Sequence, residues 1–246
     1  MDLTTLLIIC ALMALAATLY TSVGHAGASG YLAIMAIFAV PAATMKPTAL
    51  VLNIIVASIA SLRFVRAGQF NIRLLLPLVA GAIPAAFFAG RLHLPGEYYR
   101  PLVGIILWIA AARFLWPREI KPLAEPKSPV WPISVLTGAA VGSLSGLTGT
   151  GGGIFLSPII LLFGWEAIRK TSGVAAVFIL CVSTAGLAGN LSSVGKLPAE
   201  LPWFVGAVLG GSLIGTKLGL SGLPAPRLLQ ALGLVLIVAG AKLIFS

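Results

Sequence analysis

Ser145-Gly146-Leu147-Thr148-Gly149-Thr150-Gly151-Gly152-Gly153 interrupts an otherwise apolar chain, and a looser copy, Ser22-Val23-Gly24-His25-Ala26-Gly27-Ala28-Ser29-Gly30, does the same about half a chain earlier. Each run lies between a long apolar segment and an unusually short one. Inside a bilayer, backbone freed from helical bonding is tolerated only where protein buries it or water reaches it. A matched pair of such breaks in two halves points to the binding site of a transporter.

Composition sets the class around these runs. The 246 residues are 59% hydrophobic and 9% charged, with a mean hydropathy of +1.07. Soluble domains carry roughly 25% charged residues. So apolar a chain cannot hide its surface in one water-soluble core, and the expected class is an all-α polytopic membrane protein. The net charge of +10 does not indicate nucleic acid, because the basic residues are spread thinly over junctions between apolar segments. That distribution sets topology; the basic surplus also favours anionic lipid and an anionic substrate. Cys10 and Cys181 lie inside apolar segments and read as small fillers. They support neither a disulfide nor a metal site. No early Lys or Arg follows Met1, so residues 3–20 read as a retained first helix rather than a signal peptide.

A membrane-spanning helix needs about 20 apolar residues. Ten helical segments follow, at 3–20, 29–40, 46–66, 72–92, 98–116, 131–146, 152–164, 168–190, 199–219 and 226–245. The second and seventh are too short to cross alone and read as half-helices or re-entrant partners of the breaks. Residues 116–132 hold five prolines among alternating charges and form the one real linker. The division is a first repeat over 1–116, a cytoplasmic linker over 117–130 and a second repeat over 131–246. Several polar and glycine positions, such as Ser22 with Ser145, Gly30 with Gly153, Lys46 with Lys170 and Arg100 with Arg227, recur at offsets of 123 to 127 residues. If every segment changes side, eleven Lys and Arg residues fall on one face and five (Lys46, Arg91, Arg100, Lys196, Lys242) on the other. The richer face is then cytoplasmic and both termini lie outside. Five segments per half is odd, so the repeats are inverted and the two breaks approach the midplane from opposite faces.

The residue types in the breaks suit an anion. N–H groups at a helix start are unpaired and carry partial positive charge, and glycine lets a ligand approach them closely. Two half-helix starts facing one cavity make an oxyanion site without a buried cation. The expected backbone donors are Gly27, Gly30, Gly151, Gly152 and Gly153, and the hydroxyl donors Ser29, Thr148, Thr150, Thr48 and Ser172. His25 and Asn53 orient the substrate, while Lys46, Arg169 and Lys170 attract it. His25 also makes the first copy the place for pH sensitivity. Thr48, Thr171 and Ser172 double as candidate helix caps. Close helix packing by small residues accounts for Gly81, Ala85, Ala86, Gly210, Gly211 and Gly215. The six acids all fall in termini or loops. Intramembrane carboxylates mark cation and proton paths, so their absence fits an anion path. No catalytic residue, cofactor or metal ligand set is expected; no Lys-Ser or Lys-Thr follows the glycines as a nucleotide loop requires.

The run Gly146-Leu147-Thr148-Gly149-Thr150-Gly151-Gly152-Gly153-Ile154-Phe155-Leu156-Ser157-Pro158, followed by Arg169-Lys170-Thr171-Ser172, resembles the TauE/SafE family of sulfite exporters. The resemblance covers essentially the whole chain and is weaker in the first half, where His25-Ala26-Gly27-Ala28 replaces a fuller glycine cluster. It implies outward movement of sulfite, sulfoacetate or a related organosulfonate across the bacterial inner membrane. The expected partners are that small sulfur-containing anion and membrane lipid, with a homodimer left open and no nucleic acid. A passive anion channel is the principal alternative; a membrane enzyme or scaffold handling a sulfur compound is a second.

Overall fold

The structure is a computed structural model describing residues 2–92, 94–115, 126–127, 129–221 and 226–245. Most of the expected linker, and the loop position His93, lie outside the described residues. Among the described residues ten α-helices run in the order α1 (Leu3–Ser22), α2 (Ala28–Ile37), α3 (Ala42–Arg66), α4 (Ile72–Arg91), α5 (Gly96–Leu115), α6 (Trp131–Thr148), α7 (Gly153–Leu162), α8 (Ile168–Gly189), α9 (Leu201–Ser221) and α10 (Pro226–Phe245). A 3₁₀ turn over Leu191–Lys196 follows α8 and has no counterpart in the sequence expectation. No strand occurs among the described residues. α1, α3, α4, α8 and α9 are each long and apolar enough to cross a membrane. The chain is an all-α polytopic membrane protein.

Local chemistry sets the helix ends. Asp2 caps α1 by accepting from Thr5 N at 3.0 Å. Asn71 caps α4 by accepting from Arg73 N at 3.0 Å and Leu74 N at 3.3 Å. Its amide also donates to Glu166, a carboxylate only 7% exposed, which itself accepts from Ala167 N. The starts of α4 and α8 are thereby joined. Asn71→Ala is expected to lower the thermal midpoint of the purified protein by the worth of a cap, about 1 kcal/mol; an unchanged melt would remove the cap from the account.

Two sequence expectations need correction here. α3 begins at Ala42, so Lys46-Pro47-Thr48 lies more than a turn inside the helix rather than at its start. Thr48 caps nothing: its hydroxyl donates back to Thr44 O at 2.7 Å. Nor is α8 capped by a hydroxyl, since its cap residue is Ala167 and Thr171 donates back to Ala167 O at 3.0 Å. Pro41 and Ala167 stand where a hydroxyl was expected, and both helices start without a side-chain cap.

Each half has the same order of one long, one short and three long helices. α4 packs along α6 as α9 packs along α1, while α5 pairs with α10 and α3 with α8. Exchanging α1–α5 for α6–α10 carries these pairs into one another. Two of the pairs are closed by glycine. Gly138, Gly142 and Gly146 of α6 lie against the carbonyls of Leu78, Ala82 and Ala86. Gly211, Gly215 and Gly219 of α9 lie against those of Ala14, Thr18 and Ser22. Spacing by four places all three glycines on one helix face, and small residues let helix backbones touch where lipid supplies no hydrophobic drive. Gly81 belongs to the first seam, against Val135 O. Gly210 does not pack: nothing lies within 4 Å of where its Cβ would be.

Candidate functional site

Both glycine runs are breaks in helix, and their geometry requires glycine. Gly24, Gly27, Gly149, Gly151 and Gly152 have φ of +79°, +102°, +81°, +76° and +75°, a left-handed region costly to residues with a Cβ. Gly27 and Gly152 are the residues from which α2 and α7 start. The helical ladder begins with Tyr31 N to Gly27 O in α2 and with Phe155 N and Leu156 N to Gly152 O in α7. Ahead of it stand the N–H groups of Ala28, Ser29 and Gly30, and those of Gly153 and Ile154. These carry the positive ends of the two half-helices.

The breaks enter from opposite ends of the bundle and meet in its middle. Gly24 of the first lies against Ser172 at the start of α8, whose hydroxyl donates to Val23 O at 3.1 Å. Gly149 of the second lies against Lys46 near the start of α3. At the meeting point His25 Nε2 donates to Gly153 O across 2.9 Å. Gly151 sits against the Asn53 amide, which donates to Ser183 Oγ at 3.3 Å. Asn53 and Ser183 are both 0% exposed. Among the described residues Asn53 Oδ1 has no partner, and neither does Ser145 Oγ beside Gly152. An unmet buried polar atom costs about 1–3 kcal/mol, so the centre is polar beyond what its own bonds satisfy. Turning the Asn53 amide over would let Ser183 donate to Oδ1 and free Nδ2 as a donor.

The expected residues separate into those at this centre and those elsewhere. His25, Gly27, Asn53, Thr150, Gly151, Gly152 and Gly153 form or flank it. Thr148 and Thr150 share a hydroxyl contact of 3.0 Å, and Thr148 also donates to Leu144 O at 2.7 Å. Ser29 is turned away, its hydroxyl paired with Tyr20 OH at 2.6 Å. Gly30 packs on Tyr20 and Ala16 of α1. Thr48 is buried and bonded within α3. Arg169 and Lys170 are exposed at the start of α8, on the end of the bundle opposite Lys46. Lys46 is 8% exposed and donates to Gly90 O at 3.0 Å and Leu92 O at 3.4 Å, neutralising the negative end of α4.

Sequence reasoning missed three contributors. Ser183 faces Asn53 from 130 residues away, and nothing in its local sequence marks it. Ser145 was read only as the start of the run. Tyr99 supports the second break by donating to Thr148 O at 2.9 Å; an aromatic in the first turn of an apolar helix gives no such signal. Above Tyr99 opens a cavity of about 430 Å³ between the start of α3, the ends of α4 and α8, and the start of α5.

The sulfite exporter TauE/SafE family matches residues 9–243. The chain is also 39% identical over 229 residues, 92% of its own length and 93% of the relative's, to the "Probable membrane transporter protein y4hK" of Sinorhizobium fredii (strain NBRC 101917 / NGR234). No solved structure matches the chain. Paired glycine breaks that meet inside a helical membrane bundle, in a chain matched along nearly its whole length, make this protein a membrane transporter of the TauE/SafE family.

Proposed function

We propose that the protein is an inner-membrane secondary transporter that exports a small sulfur oxyanion, sulfite or an organosulfonate, by alternating access. One observation carries the reading. The break ahead of α2 and the start of α7, one from each half, meet where His25 Nε2 donates to Gly153 O, beside a buried Asn53 whose Oδ1 is unmet among the described residues. An oxyanion there would accept from half-helix N–H groups, Thr150 and the Asn53–Ser183 pair, with no cation needing burial at the centre. The exchange of helix pairs between halves supports a division into repeats over 1–116 and 131–246, joined by a cytoplasmic linker over 117–130. With five helices each, the repeats are inverted and both termini lie outside. Rocking one repeat against the other would expose the centre to alternate faces. A negative-inside potential favours anion exit by about 2.3 kcal/mol per charge per 100 mV, so export needs no coupled ion.

The test is flux through the purified protein in proteoliposomes, with sulfite, sulfoacetate, taurine and chloride, at zero and imposed potential. Saturable, potential-accelerated sulfite or sulfoacetate flux is expected, with chloride far slower. No saturable anion flux under any condition would sink the reading. Asn53→Ala is expected to raise the KM for the transported anion about tenfold, the worth of one buried hydrogen bond. An unaltered KM in the folded variant would remove Asn53 from the site.

A further inference from the structure

The cavity of about 430 Å³ above Tyr99 lies apart from the break centre and has its own chemistry. Lys46, Arg100 and Lys196 line it, and no acid among the described residues does. Asn190 also lines it; this side chain is 2% exposed and its Oδ1 has no partner among the described residues. Leu94 and Leu147 supply an apolar wall. Three cations lining a low-dielectric recess concentrate anions there. The unmet amide oxygen calls for a donor on whatever fills the space. The volume falls in the roughly 300–1,000 Å³ range of small-molecule pockets, and a bare inorganic oxyanion would fill only a fraction of it.

We propose that this cavity is a docking site for a small organic acid anion, distinct from the central site. Arg100 and Lys196 hold the acid group, Leu94 and Leu147 cover the carbon skeleton, and Asn190 Oδ1 accepts from a donor on the ligand. Lys46 contributes charge while its ammonium stays on the end of α4. Tyr99 and Lys46, which line the cavity, also touch the second break: Tyr99 OH donates to Thr148 O at 2.9 Å, and Gly149 lies against Lys46. A docked anion therefore waits directly outside the centre. The inference rests on the transport reading only for where the anion goes next; binding is independent of it.

The experiment is calorimetric titration of the full chain in neutral detergent, with 2-hydroxyethanesulfonate, whose hydroxyl supplies the donor that Asn190 Oδ1 calls for, and sulfite as probes and short-chain phosphatidylglycerol as competitor. 2-Hydroxyethanesulfonate is expected to bind more tightly than sulfite. The double variant Arg100→Ala/Lys196→Ala should weaken it roughly tenfold, the combined worth of two partly exposed charge pairs. Arg100→Lys/Lys196→Arg should retain the affinity, which shows that the effect is charge rather than misfolding. Asn53→Ala should keep the binding component that the double variant loses. Unchanged binding in the double variant, loss of that component in Asn53→Ala, or displacement by phosphatidylglycerol at equal concentration would each overturn the docking site. If sulfite flux persists beside such a result, the docking site alone falls. If binding behaves as expected but no flux is seen, the transport reading alone falls.

Discussion

Gly152→Leu is expected to reduce anion flux by more than an order of magnitude while leaving the protein in the membrane and extractable. Gly152 has φ +75° and is the residue from which α7 starts. Left-handed backbone costs a residue with a Cβ about 1–2 kcal/mol. A Cβ there would also lie 2.9 Å from Val141 Cγ1 and 3.0 Å from Phe178 Cε1, leaving no room for an isobutyl group. Overpacking adds about 1–3 kcal/mol. The sum exceeds the 1.4 kcal/mol that corresponds to a tenfold change, and the strain falls on the half-helix start proposed to meet the anion. Flux in proteoliposomes, normalised to folded protein by size-exclusion profile, measures it. Wild-type flux in a folded variant would make the second break a packing device and nothing more.

Gly211→Leu is expected to abolish folded protein, whereas Gly210→Leu, one residue away, should be neutral or slightly stabilising. Gly211 faces α1, where a Cβ would meet the Ala14 carbonyl and come within 2.9 Å of Ala17 Cβ. Backbone cannot yield as a side-chain tip can, so α1 and α9 must part and the whole glycine seam through Gly215 and Gly219 goes with them. Gly210 points outward with nothing within 4 Å, and replacing a mid-helix glycine by leucine gains up to about 1 kcal/mol of helix propensity. Yield and monodispersity after extraction report both. Equal behaviour of the two variants would contradict the seam.

That neighbouring pair also marks where sequence reading stops. Apolar length and Gly/Pro punctuation place the ten helices close to where they are, including the short α2 and α7, because span length and break chemistry are local properties. Which face of a helix meets a neighbour is not local, so Gly210 and Gly211 look alike in the chain. The centre divides the same way. Gly151–Gly153 and His25 are legible because several glycines in a few positions serve packing poorly, and because a histidine in a break is conspicuous. Ser29 looks equally suited to bind an anion, yet Tyr20 from the preceding helix holds its hydroxyl. Ser183 looks like one more helix serine, yet it faces Asn53. The charge count puts Lys46 and Lys170 on opposite faces, and the fold puts them at opposite ends of the bundle. Arg100, Lys196 and Asn190 converge on one cavity only through the docking of α5 beside the end of α8.

The central claim is that one anion site, built from both breaks, is offered to the two membrane faces in turn. Counterflow tests it most directly. Proteoliposomes carrying the wild-type protein are loaded with unlabelled sulfite, diluted, and given a trace of labelled sulfite outside at zero potential. Transient accumulation of label above equilibrium is expected, absent in Gly152→Leu. Label that enters at the same rate with or without internal sulfite, never exceeding equilibrium, would show a continuous pore and contradict it.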